Sequence, residues 1–216
     1  MLTLYPQKPT FLRTAISVVT GQERSFFSGQ YDCVRSGSKV GDQRMRPVRG
    51  AHGESQPRLL MTFSRPIDDR YFEDYVEGDV HRFGSIAVAA NEMIAFAKRF
   101  DPQIFHTDPE GAKQTPFGGL IASGWHTAGL MMRLYVEHYL THVASLASPG
   151  LDEVRWLKPV RPGDSLSVRV TVLKATPSKS KPDRGAVTSL IEVFNQADET
   201  VMTLKSVNII ARRPSR

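Results

Sequence analysis

Two titratable side chains stand five residues apart where a helical pattern breaks. They are Asp101 and His106, in Phe96-Ala-Lys-Arg-Phe-Asp-Pro-Gln-Ile-Phe-His106. A carboxylate beside an imidazole can polarise one water and move protons near neutral pH. A continuous helix does not align residues five apart. A loop stiffened by Pro102 can point both side chains the same way. Eighteen residues beyond His106 lies Gly124, early in an apolar helix candidate. Backbone N–H groups near a helix N-terminus lack intrahelical partners and sit at the positive end of the dipole. They are placed to hold an oxyanion developing on a carbonyl. Around this trio, Gln103, Phe105, Phe117, Gly119 and Ser123 are the candidate substrate-binding residues.

The elements that must position these groups follow from the pattern of apolar residues. Val80 to Val88 is β-rich. Asn91 to Phe100 carries apolar residues at 93, 94, 96, 97 and 100, which is helical spacing, and Asp101-Pro102 stops it. A loop is expected through Asp108, then a single turn from Pro109 to Ala112 capped by Asp108. Gly118-Gly119 opens the longest helix candidate, ending near Val143 and apolar almost all round in its first turns. Such a helix must be covered on most sides. Gly124 and Gly129 each cost it about 1 kcal/mol relative to alanine, so a close neighbour is expected at both. After Pro149-Gly150 come strands at 151–159, 165–172, 187–194 and 201–210, with turns at Pro162-Gly163-Asp164 and Asn195 to Asp198. Leu166, Val168, Val170 and Val172 alternate with polar residues, the mark of one buried face. The order implies an α+β fold, an antiparallel sheet wrapped around a long central apolar helix.

The trio and the run Arg155-Trp-Leu-Lys-Pro-Val-Arg-Pro-Gly-Asp164 resemble the hydratase signature of MaoC-like enzymes. The likeness spans about residues 66 to 210. It implies a single hotdog fold, assembled as a homodimer or larger homo-oligomer. It also implies reversible hydration of a trans-2-enoyl thioester to a 3-hydroxyacyl thioester, with Asp101 and His106 catalytic and Gly124 in the oxyanion hole. The substrate implied is an acyl-CoA or acyl-carrier thioester, with no cofactor beyond coenzyme A as part of that substrate. Four positions depart from the family pattern. Arg99-Phe100 replaces a usual Ser-Gly, Gln103 stands for a common Asn, and Phe105 stands for a smaller aliphatic residue. These departures bear on the substrate more than on the reaction. Two other functions fit the same fold, a hotdog thioesterase and a non-catalytic acyl-thioester binder. Residues 119–132 contain no Asp or Glu, which weighs against the first. The presence of both Asp101 and His106 weighs against the second.

Composition narrows the rest. Residues 1–60 hold nine Lys/Arg and four Asp/Glu, whereas the other 156 hold 19 and 18, so the net charge of +6 belongs mainly to the N-terminal stretch. No basic stripe of the kind a phosphate backbone requires is present, and no nucleic-acid partner is expected. Neither a membrane span nor a secretory signal is legible, so a cytoplasmic location is expected. The single Cys33 excludes an intrachain disulfide. Ser-, Gly-, Arg- and Pro-rich residues 1–63 read as a disordered or loosely ordered extension, with Phe11 to Val19 as one ordered piece and Met61 as an alternative start. Residues 64–212 read as the domain. His138 and His142 have the spacing of a zinc pair but no evident third ligand, and no metal is expected. Arg155, Lys158 and Arg161 are candidates for the coenzyme A phosphates, or equally solvated strand ends.

Overall fold

The computed structural model describes residues 63–214. The extension expected over residues 1–63, its ordered piece and the alternative start at Met61 fall outside this range, apart from residue 63. Two short 3-10 turns lead into β1 (Val80–Ala87), α1 (Ala90–Phe100), α2 (Ile104–Thr107), α3 (Pro109–Lys113) and α4 (Gly124–His138). Four strands follow: β2 (Ser145–Trp156), β3 (Ser165–Pro177), β4 (Arg184–Phe194) and β5 (Thr200–Ala211). They form one antiparallel sheet in the order β1-β3-β4-β5-β2, leaving β1 and β2 at the edges.

The alternation read from β3 fixes which way the sheet faces. Leu166, Val168, Val170 and Val172 are all buried, as are Val187, Ile191 and Val193 of β4 and Met202, Leu204 and Ile210 of β5. Onto this face packs α4 through Leu130, Met131, Leu134 and Tyr135, so the sheet and the long helix share one core. β1 takes a register shift between Phe83 and Ile86. Gly84 sits there at φ +75, with the Leu134 side chain where a Cβ would stand. A bulge with left-handed glycine lets the edge strand bend over the helix.

Four readings of the sequence need correction. The long helix begins at Gly124, not Gly118, and ends at His138, not Val143. Leu120 to Ala122 are apolar but extended, because Ile121 N–H donates to Phe105 O at 3.1 Å and Ala122 N–H to Val160 O at 2.8 Å. The helix is not covered on most sides either: Trp125, Met132 and Val136 are exposed. Gly124 does have a close neighbour, but nothing lies within 4 Å of where a Cβ on Gly129 would stand. Finally, Pro149-Gly150 does not precede a strand but lies inside β2, at register shifts against β5. Proline and glycine are tolerated there because β2 is an edge strand.

Candidate functional site

Asp101 is the residue at which α1 ends. Its N–H still donates to Ala97 O at 2.9 Å, but its backbone has left the helical region ahead of Pro102. The expected loop contains one helical turn, α2, and that turn carries His106 inward until it is 6% exposed. The two side chains meet: His106 Nε2 lies 3.4 Å from Asp101 Oδ2. His106 Nδ1–H donates to Ile121 O at 2.9 Å. That bond orients the ring and turns Nε2 toward the carboxylate. The extended segment that shortened α4 therefore supplies the carbonyl that orients the imidazole.

Both carboxylate oxygens of Asp101 are engaged. Oδ1 accepts from Gln103 Nε2 at 2.7 Å and Oδ2 from Ser123 Oγ at 2.7 Å. These hydrogen bonds, Gln103's first, hold the carboxyl below its ordinary range, with His106 adding to the effect and partial burial opposing it. Asp101 is thus ionised at neutral pH. Ser123 is also the N-cap of α4, accepting from Trp125 N–H at 3.3 Å. One hydroxyl couples the positive end of the helix to the carboxylate.

A cavity of ≈ 440 Å³ opens in front of the pair. Of the residues singled out in the sequence, Asp101, Phe105, His106, Phe117 and Gly124 line it. Gln103 and Ser123 stand against the carboxylate rather than on the cavity wall, and Gly119 lies near Arg161. Sequence reasoning missed Trp125 and Trp156, which also line the cavity. The signal was available in part, since Trp156 lies within the Arg155–Asp164 run already singled out. Gly124 is the first residue of α4, so its N–H has no intrahelical partner, and the residue lines the cavity.

The other candidates sit elsewhere. Lys158 also lines the cavity, and its ammonium pairs with Glu199. Arg161 donates to Phe117 O at 2.8 Å. His142 lies beyond the end of α4 and pairs with Asp68 at 2.9 Å, so it shares no helix face with His138. Among the described residues no three His, Cys, Asp or Glu side chains gather as metal ligands, and no helix is long and apolar enough to cross a membrane. His126 is buried against Phe96, and burial lowers its pKa.

The profile of the MaoC-like domain matches residues 72–193, more than half of the chain and all of the site. The chain belongs to the MaoC-like domain family. It is 43% identical to the MaoC-like dehydratase of Rhodospirillum rubrum, whose crystal structure superposes with a TM-score of 0.63 over 68% of this chain and 99% of that one. It is 31% identical to the uncharacterised protein YdeM of Bacillus subtilis (strain 168), over 60% of this chain and 90% of that protein. It is 28% identical to 3-hydroxyacyl-thioester dehydratase Z of Mycobacterium tuberculosis, over 58% of this chain and 85% of that protein. The sheet curled around α4 is the hotdog fold expected from the sequence.

Proposed function

We propose that this protein is a hydro-lyase that interconverts a trans-2-enoyl thioester and its 3-hydroxyacyl thioester. The observation that carries the reading is the ionised Asp101 carboxylate 3.4 Å from an imidazole oriented by the Ile121 carbonyl. The pair faces a cavity that also exposes the first turn of α4. Membership of the MaoC-like domain family and 28% identity to a 3-hydroxyacyl-thioester dehydratase support it.

In the hydration direction, Asp101 and His106 together hold one water. The water oxygen bonds to Cβ while His106 Nε2 takes its proton, and the π electrons move toward the thioester carbonyl. Gly124 N–H holds the resulting enolate oxygen. The enolate then collapses, and the imidazolium returns that proton to Cα. Atoms and charge balance, and dehydration is the reverse. The thioester itself acidifies Cα, so the chemistry calls for no metal or redox group, and coenzyme A enters as part of the substrate.

A homo-oligomer belongs to the same reading. Met132 and Val136 leave an apolar stripe exposed on α4, and edge strand β2 presents Leu146 and Leu151 beside unpaired backbone groups. A second copy packed on either would bury these apolar residues.

The test is incubation with crotonyl-CoA while enoyl absorbance and free thiol are followed together. Loss of absorbance without thiol release is the expected result. Thiol release would replace the reading with a thioesterase, and neither signal across a panel of enoyl thioesters would favour a binding protein.

A further inference from the structure

We propose that Trp156 sets acyl-chain selectivity at this site, favouring short acyl groups, and that it holds the Gly124 turn in place. The inference rests on the thioester reading above.

Trp156 is the last residue of β2, paired across the sheet with Met202. Its indole N–H donates to Gly124 O at 3.0 Å. The ring lies so close that a Cβ on Gly124 would stand 2.5 Å from Cε2 and 2.6 Å from Nε1. No side chain fits there without moving the indole. That contact accounts for glycine at the first position of α4. The edge of the Trp156 ring also meets Trp125, with centroids 5.5 Å apart and planes at 75°. A strand residue is thus clamped onto the helix turn whose N–H is assigned to the oxyanion.

The same indole bounds the cavity. Phe105 and Phe117 stand together as another part of its aromatic wall, 5.1 Å apart. Ile121, Ala122 and Val160 line it too, all buried and tied to their neighbours by backbone hydrogen bonds. Past them, Leu130, Met131, Leu134, Leu166 and Val168 fill the space between α4 and the sheet. The space under the helix is filled, and Trp156, half exposed, stands where the cavity meets the end of β2. A chain that runs that way must displace a ring held by its own hydrogen bond.

The chain contains two tryptophans, Trp125 and Trp156, and both line the cavity. Intrinsic emission therefore reports occupancy without turnover. The experiment titrates the full chain and its variants with butyryl-CoA and octanoyl-CoA, saturated thioesters that cannot be hydrated. Wild type is expected to bind butyryl-CoA at least about tenfold more tightly, the scale on which a hydrophobic pocket discriminates methylenes. In Trp156→Ala, with Trp125 as reporter, the gap should close or reverse, whereas Trp156→Phe should keep it. Gly124→Ala should lose butyryl-CoA affinity, and Gly124→Ala with Trp156→Ala should regain it. Equal affinity for the two thioesters in wild type, or an unchanged gap in Trp156→Ala, would overturn the proposal. Turnover of enoyl thioesters without chain-length discrimination would leave the reaction reading standing and this one fallen. Discrimination without turnover would do the opposite.

Discussion

The two ends of α4 are finished in opposite ways. At the C-terminal end buried side chains hold the chain where it leaves the helix. Arg70 donates to Tyr139 O at 2.6 Å, and Tyr75 O–H donates to the same oxygen at 3.1 Å. Thr141 N–H in turn donates to the Tyr75 hydroxyl at 3.0 Å. Tyr135 donates to Asn208 at 2.9 Å, and the Tyr139 and Ser189 hydroxyls meet at 3.3 Å. Phe63 stacks under the Arg70 guanidinium, and the rings of Tyr75, Tyr135 and Tyr139 pack edge or face to one another. At the N-terminal end, Ser123 serves one N–H and spends its own proton on Asp101. The remaining donors of that turn lie beside a cavity. A helix end tied down by buried side chains is an anchor, and an end with unspent donors beside an ionised carboxylate is a place for chemistry.

The contrast is sharpest for substitutions that hit one end alone. His106→Gln removes the proton acceptor and should lower kcat on an enoyl thioester by about a thousandfold. The protein should still unfold cooperatively, as read by steady-state kinetics beside circular dichroism. Arg70→Met strips the anchor of its charged donor. It should cost about 2 kcal/mol, since hydrogen bonds from charged groups are worth that much, and lower Tm by several degrees. The kcat of the folded fraction should stay at the wild-type value.

Titration separates the ends in a second way. Burial pushes the Tyr75 hydroxyl up to about 12 and raises Tyr135 and Tyr139 as well. A folded pKa above the unfolded value means stability that is present below about 10. It is lost as pH climbs toward the folded value. Tm should therefore fall from about pH 10 upward, and less steeply in Tyr75→Phe. The Asp101 carboxyl is depressed instead, so its contribution holds above the ordinary carboxylate range and is lost as pH falls through its folded value. The smallest effect follows from its largest cause. Gln103→Leu should move the acid limb of the kcat/KM profile to higher pH, and a limb that stays put would show that Gln103 does not hold the carboxylate.

Legibility in the sequence divides along a similar line. Asp101, His106 and the end of α1 were readable because proline and helical spacing are local signals. The inward face of β3 was readable from alternation. The start of α4 was not, because Leu120 to Ala122 have the composition of a helix. Only their bonds to Phe105 and Val160 make them extended, and those partners are distant in the chain. Gln103 and Ser123 were singled out, but composition cannot say that they turn toward Asp101. Trp156 escaped notice because its contact with Gly124 spans 32 residues. The exposed stripe on α4 contradicts its apolar pattern only while one chain is considered. A second copy in solution, read by light scattering, would supply the cover the pattern calls for.

Asp101→Asn, compared with wild type on crotonyl-CoA at matched far-ultraviolet circular dichroism, tests the central claim most directly. The account predicts enoyl-absorbance loss in wild type and a fall of about a thousandfold or more in the variant, with the fold intact. Turnover by a folded Asp101→Asn protein at the wild-type rate would contradict it.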